Sequence, residues 1–336
     1  MTIHIGLIGT GRIGRLHAAN LARHVPGAHL AAVVDVNRAS AEQAAREFNV
    51  PLVFENIQDL ISRPEIDAVV ICSSTDTHAP FIIAAARAGK HIFCEKPIAL
   101  NLPSIDTALQ AVAAHGVKLM VGFNRRYHSN FKKIRELIAA GKIGRPYLVR
   151  ITSHDSKPPP IEYVKVSGGI FLDMTIHDFD MARYLLGDEV TELYATGNVL
   201  VDPAIGAAGD VDTAVVVMRY VNGAICTIEN SRQAVYGYDQ RVEVLGSEGA
   251  LSSSNEYPDS VTHHARDGVH SSPTYFGFTD LYADTYIAEM TAFVDSIEKN
   301  TEPPVTGKDG RVPLVMGLAA TRSLREHRPV RLDEIQ

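Results

Sequence analysis

The spacing of apolar and polar positions changes character after the first third of the chain. In that first third, short apolar runs alternate with amphipathic stretches. Ile3 to Ile8 is a run of β-branched and apolar residues with no polar face, as expected of a strand buried on both sides. It is followed by a glycine-rich turn and a helical pattern through Ile13, Leu16, His17 and Leu21. Further strands are predicted at Leu30–Val34, Ala68–Cys72, His91–Cys94 and Lys118–Gly122. Helices are predicted at Ser40–Phe48, Ile57–Ser62 and Ser104–Ala114. The Ser/Thr-rich stretch Ser73–His78 reads as a turn. Pro80 after it reads as the first residue of a helix ending before Gly89, following the usual Pro-first, Gly-last asymmetry. Strands separated by helices of this length make βαβ units and a doubly wound parallel sheet.

Beyond Gly122 the pattern becomes that of longer strands with period two. Tyr147–Ser153, Glu192–Val201, Thr213–Tyr220, Ala224–Arg232 and Arg241–Leu245 read as β. Val221-Asn222-Gly223 and Ser247-Glu248-Gly249 read as hairpin turns. Hairpin-linked strands imply an open, largely antiparallel sheet, so two domains are expected: 1–122, α/β, and 123–336, α+β. Ser252–Phe278 reads as a polar loop, Leu281–Lys299 as a helix, Asn300–Asp309 as a Pro-rich turn region and Val312–Glu326 as a last helix. Between the first long strand and the rest lies the stiff segment Pro158-Pro159-Pro160, which cannot pair in a sheet interior. A helix bounded by Gly168-Gly169 and Gly187 follows it.

Composition narrows the classes of function. The chain has 336 residues, 46% hydrophobic and 21% charged, with a net charge of −7. That suits a globular protein large enough to hold its core without disulfides or metals. A mildly acidic surface argues against nucleic acid and anionic membrane as partners. No apolar run approaches the roughly 18 residues that span a bilayer. The N-terminus lacks the basic and apolar regions of a signal peptide. Cys72, Cys94 and Cys226 form no CxxC pair and fit a reducing compartment, so a cytoplasmic protein is expected. No spacing of His and Cys points to zinc, and no metal is expected.

Chemistry enters first at Gly9-Thr10-Gly11-Arg12-Ile13-Gly14. This GxGxxG directly follows a buried strand and directly precedes a helix, the context of a dinucleotide site. Gly9 permits the tight turn, Gly11 lets backbone approach a pyrophosphate, and Gly14 lets helix and strand pack closely. The opening N–H groups of the helix, at Arg12, Ile13 and Gly14, face the phosphates. Asp35, 21 residues past Gly14 at the tip of the second strand, is placed to accept the ribose hydroxyls and to repel a 2′-phosphate. NAD is therefore expected over NADP, with Arg38 nearby as a partial offset.

A second constellation lies on the Gly-bounded helix. Asp173 and His177 are four residues apart and Asp180 is seven from Asp173, so one continuous helix projects all three from one face. A carboxylate in that position can bond one imidazole nitrogen and leave the other as a general base. The same spacing is also that of an ordinary helix-surface pair.

Cys94-Glu95-Lys96-Pro97 together with Asp173-x-x-x-His177 resembles the glucose–fructose oxidoreductase/inositol dehydrogenase family. Gly122-Phe123-Asn124-Arg125-Arg126-Tyr127, the segment from Gly169 to Arg183, and Tyr236-Gly237-Tyr238-Asp239-Gln240-Arg241 are similar to its inositol 2-dehydrogenases. The resemblance implies an N-terminal Rossmann domain, a C-terminal α+β domain and a homotetramer. It implies NAD-dependent oxidation of a secondary hydroxyl of a cyclic polyol, myo-inositol first, with scyllo-inositol or an aldose as the alternative. It places the family's catalytic lysine at Lys96 and its Asp/His pair at Asp173 and His177. Polyol contacts then fall on Lys96, Arg125, Asp155, Asp173, His177, Asp180 and Tyr236. The sequence departs from the family pattern at His154-Asp155-Ser156, where Arg-Asp-Pro or Arg-Asn-Pro is usual, which leaves the preferred isomer open.

The expected chemistry follows from the reaction. A proton must leave oxygen as a hydride leaves carbon. An unperturbed histidine titrates near 6.5, so His177 can accept the proton, with Asp173 orienting it. Lys96 stabilises the developing alkoxide and contacts the nicotinamide ribose, and Glu95 positions Lys96 or the ribose. The nicotinamide is expected over the turn that contains Ser73, Thr75 and His78, and a cis bond before Pro97 is allowed. Some relatives of such enzymes serve as non-catalytic NAD(P)-binding regulators, but a regulator has no need of Lys96, Asp173 and His177 together.

Overall fold

The apolar runs of the first third become six strands: β1 (Ile3–Ile8), β2 (Ala28–Val34), β3 (Leu52–Phe54), β4 (Ala68–Ile71), β5 (His91–Glu95) and β6 (Leu119–Gly122). The structure, a computed structural model, describes residues 2–335. The chain divides into two units. The first comprises Met1–Tyr127 and Asp284–Leu314, the second His128–Ala283 and Val315–Gln336.

In the first unit all six strands are parallel, in the order β3-β2-β1-β4-β5-β6. All four residues of β4 are fully buried, which is why the sequence there has no polar alternation. Strand order reverses between β1 and β4, the place where doubly wound sheets bind ligands beyond the strands' carboxyl ends. β3 escapes sequence reading because it has only three residues, half-buried at the sheet edge. Asn37 and Asn101 cap the helices Arg38–Phe48 and Leu102–His115 by accepting N–H bonds from Ser40 and Ser104. The helix expected to open at Pro80 instead begins at Thr75. The hydroxyl of Thr77 donates to the carbonyl of Ser74 at 2.7 Å, so most of the polar residues read as a turn form the first helical turn. Pro80 is absorbed in its interior at the cost of one backbone bond.

The helix predicted at Leu281–Lys299 splits at Tyr282 into Phe278–Leu281 and Ala283–Glu298. Within the first unit, Phe293 of the longer piece packs edge-on against Phe93, and Tyr286 against His17. Such pairs contribute about 0.5–1.5 kcal/mol each beyond burial. Arg126 pairs with Asp309 at 3.0 Å and Arg311 with Asp106.

The second unit is built on β7 (Pro146–His154), β8 (Val190–Asn198), β9 (Thr213–Tyr220), β10 (Ile225–Ser231), β11 (Asp239–Gly246), β12 (Gly249–Ser253) and the short β15 (Val330–Arg331). Their order is β12-β11-β7-β10-β9-β8-β15. The two turns predicted as hairpins join β9 to β10 and β11 to β12. The sheet is mixed rather than purely antiparallel, because β7 and β10 run parallel. The segment read as a loop after Ser252 includes the end of β12 and an exposed hairpin, β13 (Thr262–Ala265) with β14 (Gly268–Ser271).

One face of the large sheet carries the buried alternate positions, such as Val216 and Met218 on β9 and Cys226 and Ile228 on β10. The Gly-bounded helix lies against this face. It is not continuous: Ile170–Asp173 and Thr175–Leu186 are separate helices with Met174 between them. The cause is tertiary. Thr175 Oγ1 donates to Asn230 Oδ1 on β10 at 2.6 Å and also approaches the Ile170 carbonyl at 3.2 Å. Gly187 ends the second helix in the left-handed region, φ 63°, as glycine allows.

Candidate functional site

The glycine loop leaves β1 with Gly9 at φ +93°. A side chain at Gly9 would meet the backbone of Cys72 and Ser73, and one at Gly14 would come within 1.9 Å of the Gly9 carbonyl. At Gly11 nothing lies within 4 Å of where a side chain would begin. Two glycines therefore serve close packing, while the third leaves open space beside the start of helix Arg12–Arg23. That helix has no side-chain cap at its N-terminus, so the opening N–H groups at Arg12, Ile13 and Gly14 suit phosphate oxygens.

Asp35 stands just past β2. Its Oδ2 accepts from Thr10 N at 2.7 Å and Thr10 Oγ1 at 2.8 Å, and its Oδ1 from Asn37 N at 2.9 Å. Burial raises its pKa, but these donors outweigh burial and hold the carboxyl below the ordinary aspartate range. Arg38 is committed to Glu42 and Glu55, at 2.9 Å each, and to nothing at the glycine loop. An open backbone cradle and an ionised carboxylate at the second strand fit a dinucleotide with a free 2′-hydroxyl.

Lys96 follows β5, half-buried, and the Lys96–Pro97 bond is cis. Before it, Glu95 Oε1 accepts from His17 Nε2 at 2.7 Å. Glu95, His17 and Glu289 each present an atom within 4.8 Å of the others, all buried. Glu289 is fully buried, and its two oxygens have no hydrogen-bond partner among the described residues. Burial, then the charge of Glu95, drives its pKa well above the usual carboxyl range. Sequence reading missed this cluster, because its members lie on three separate segments. His78, expected near the nicotinamide, is 2% exposed. Its ring nitrogens face the carbonyls of Pro97 and Ser73 at 2.8 and 3.0 Å, which ties the residues after β4 to the Glu-Lys-Pro turn. Ser73 Oγ is within 2.6 Å of Thr77 Oγ1, and Thr75 opens the helix. Arg125 is buried in the single helical turn Asn124–Tyr127 after β6.

In the second unit, Asp173 closes the short helix Ile170–Asp173, while His177 and Asp180 belong to the next helix. The single helical face drawn from the spacing is therefore replaced by a bend. Asp173 Oδ1 accepts from Tyr163 Oη at 2.7 Å and Oδ2 from Arg232 Nη1 at 2.8 Å. Asp155 Oδ2 lies 3.7 Å from the same Nη1. His177 is half-buried and Asp180 is buried at 1% exposure. Below them, Asn230 Nδ2 donates to Asp178 Oδ2 at 2.8 Å, as a buried carboxylate requires of its surroundings. Tyr236, half exposed, donates to Asp239 Oδ2 at 2.6 Å. Burial and then this bond push its pKa up to about 12, so it remains a phenol at neutral pH. Burial acts to raise the pKa of Asp239, but donors from His154, Arg241, Tyr236 and Asn255 hold it far below the usual range.

Arg232, Tyr163 and Asp239 were not singled out in the sequence. For Arg232 a signal existed: it continues the inward parity of Cys226, Ile228 and Asn230 along and beyond β10, and an inward arginine requires carboxylates around it.

Known proteins match this arrangement from end to end. Residues 3–123 match a family model described as an oxidoreductase family with an NAD-binding Rossmann fold, and residues 131–252 match the GFO/IDH/MocA C-terminal domain. Over 99% of both chains the sequence is 47% identical to the myo-inositol 2-dehydrogenase of Thermotoga maritima. It is 45% identical to the inositol 2-dehydrogenase of Rhizobium meliloti, over 98% of this chain and 99% of that one. The solved structure of a scyllo-inositol dehydrogenase from Lactobacillus casei, with bound NAD(H) and scyllo-inositol, superposes with a TM-score of 0.93 at 33% identity, covering 99% of this chain and 100% of that one. A glycine loop followed by Asp35 at the second strand, a Glu-Lys-Pro turn and full-length kinship of this depth place the chain in the GFO/IDH/MocA family of oxidoreductases.

Proposed function

We propose that this protein is an NAD-dependent inositol 2-dehydrogenase that oxidises myo-inositol to 2-keto-myo-inositol, an opening step of inositol catabolism. The observation that carries the reading is the 47% identity to an enzyme of that name over 99% of both chains. Bound NAD supplies the hydride acceptor. The chain's own residues must then take a proton and stabilise the oxygen that loses it. His177 is assigned as the base. Asp173, held by Tyr163 and Arg232, supplies the negative charge that steadies the imidazolium. Lys96 bonds the reacting hydroxyl and the nicotinamide ribose. Glu95, bonded to His17, fixes the end of β5 beside it. Arg125, Asp155, Asp180 and Tyr236 are assigned to the remaining hydroxyls.

NAD is preferred over NADP because Asp35 stays ionised and Arg38 is held by Glu42 and Glu55. A second reading, scyllo-inositol as the better substrate, is left open by the departure at His154-Asp155-Ser156 and is favoured by the scyllo-inositol bound in the Lactobacillus casei protein. A homotetramer is supported by the outer face of the large sheet. There Leu245, Leu148 and Ile225 stand in one row across three strands, exposed, as suits a self-complementary interface. No helix among the described residues is long and apolar enough to cross a membrane. The three cysteines are buried and free, in keeping with a cytoplasmic setting.

The test is spectrophotometric. NADH formation is followed with a panel of inositol isomers and aldoses, with NAD or NADP as acceptor. Turnover of myo-inositol with NAD is expected. Cofactor binding with turnover of no polyol would replace the enzyme reading with that of an NAD-binding regulator.

A further inference from the structure

Arg232 is a charged side chain placed where a folding chain places apolar ones. It lies just past β10, 2% exposed. Its Nη1 is 2.8 Å from Asp173 Oδ2 and 3.7 Å from Asp155 Oδ2. Its Nε and Nη2 have no hydrogen-bond partner among the described residues. Burying a guanidinium with donors unspent is costly, and packing alone would be served by a methionine. The two carboxylates are what this side chain has gained by being there.

The fold brings them together by construction. β7 and β10 are parallel neighbours with Ser231 opposite His154, so Arg232 and Asp155 leave the sheet side by side at the same end. Backbone bonds fix that juncture: Asp155 N donates to the Ser231 carbonyl at 2.9 Å, Ala234 N to the Asp155 carbonyl at 2.6 Å, and Arg232 N to the Asp212 carbonyl at 2.8 Å. Asp173 comes from the helix that bends at Met174, its other oxygen held by Tyr163. A third carboxylate, Asp210, faces the group and accepts from Ile170 N at 3.1 Å. Burial pushes its pKa up, and the Asp173 charge adds to this. Three carboxylates thus compete for one permanent cation, and the two within 4 Å of it are those assigned to the substrate.

We propose that Arg232 is a positioning residue that holds Asp155 and Asp173 as a fixed pair of ionised acceptors for hydroxyls of a cyclic polyol, and so sets affinity and isomer preference without touching the cofactor. This rests on the functional reading above. Ionised, each carboxylate is acceptor-only, with both oxygens able to take hydroxyl donors; protonation turns one oxygen into a donor. The groups that set its titration are Arg232, Asp210 and Tyr163, with His177 on the following helix.

The experiment compares Arg232→Met, Arg232→Lys, Asp155→Asn and His177→Ala with the wild type. KM and kcat are measured for myo- and scyllo-inositol from pH 5 to 9, with NAD affinity by fluorescence and folding by thermal melt. For Arg232→Met, KM is expected to rise at least about 30-fold, which is roughly 2 kcal/mol of binding, with NAD affinity within about twofold. Removing the positive charge raises the pKa of the carboxylates. The acid limb of kcat/KM is therefore expected to move to higher pH by about one unit. Arg232→Lys should return part of both changes. A folded Arg232→Met with unchanged KM and acid limb overturns the proposal. Should Arg232→Met not fold, Asp155→Asn decides: a KM raised at least about tenfold with kcat within threefold supports the pair, and an unchanged KM overturns it. An active His177→Ala would instead strike the assignment of the base, whatever Arg232 does.

Discussion

Each unit holds a cluster of carboxylates, buried in the first and half-buried in the second, and the two clusters balance charge in opposite ways. In the first, Glu95 and Glu289 gather round a histidine, His17, and Glu289 has no hydrogen-bond donor among the described residues. In the second, Asp155, Asp173 and Asp210 gather round Arg232, a cation at any physiological pH. A buried carboxyl with no donor, such as Glu289, keeps its proton, whereas a guanidinium beside a carboxyl favours its ionised form. The first cluster therefore contributes a neutral Glu289 packed beside the Glu95–His17 hydrogen bond. The second is the one proposed to hold acceptors for substrate hydroxyls. Burial alone does not distinguish an idle acid from a working one; the identity of the neighbouring cation does.

The largest effects belong to the groups assigned to proton transfer. His177→Ala and Lys96→Ala are each expected to cut kcat by about 10²–10⁴, while NAD titration gives an affinity close to wild type. Stopped-flow or steady-state NADH formation is the measurement. A variant within tenfold of the wild-type rate would remove that residue from the chemistry and leave the second cluster as structure only.

Next in size is the loss of Asp173. Asp173→Asn removes the carboxylate closest to Arg232 and leaves the buried guanidinium with Asp155, at 3.7 Å, and the more distant Asp210. Stranding a buried charge costs about 3–5 kcal/mol. Partial retention by Asp155 brings the expectation to about 3 kcal/mol in urea denaturation. Both destabilisation and slowed turnover are expected. A variant as stable as wild type would mean that Arg232 does not need its partner, and the contrast between the clusters would fail.

How much of this could be read from the sequence depended on how local each cause is. The run Ile3–Ile8, the glycine loop and Asp35 were legible because strand, turn and helix cap follow one another directly along the chain. The hairpins at Val221-Asn222-Gly223 and Ser247-Glu248-Gly249 were legible for the same reason. The break at Met174 was not, because its cause is a hydroxyl bond from Thr175 to Asn230, 55 residues away. The early helix start at Thr75 was hidden by Pro80, whose presence inside a helix is the exception to a sound rule. Glu289 lies within the helix read at Leu281–Lys299 with nothing local to mark it; only the fold brings it to His17 and Glu95. Arg232 was the one missed residue with a local signal, since strand parity already pointed it inward.

Asp35 offers an intermediate case that sharpens the contrast. It is kept ionised by neutral donors, Thr10 and Asn37, rather than by a cation, and on the proposed NAD reading its negative charge would repel a 2′-phosphate. Asp35→Ala is expected to weaken NAD about tenfold, roughly 1.4 kcal/mol, and to narrow the preference over NADP by a similar factor. Isothermal titration with both nucleotides measures it. Unchanged affinity for both would show that this carboxylate only holds the loop.

The smallest effect tests the idle cluster itself. The folded protein raises the pKa of Glu289 above its unfolded value near 4.5. Below pH 4.5 both states carry the proton, and Glu289 adds no pH dependence. Above it, the unfolded chain releases the proton and the folded chain keeps it. Stability therefore falls as pH rises, by up to about 1.4 kcal/mol per pH unit, until the folded pKa is reached. Glu289→Gln keeps the shape of the neutral acid and removes this term. The variant should match the wild type near pH 4.5 and exceed it at pH 7–8, by at least about 1 kcal/mol in urea denaturation. All other titrating groups are common to both proteins, so the difference between the two stability curves isolates residue 289. A variant that is instead less stable than wild type at pH 8 would mean that Glu289 is ionised in the fold and that His17 serves this cluster as Arg232 serves the other.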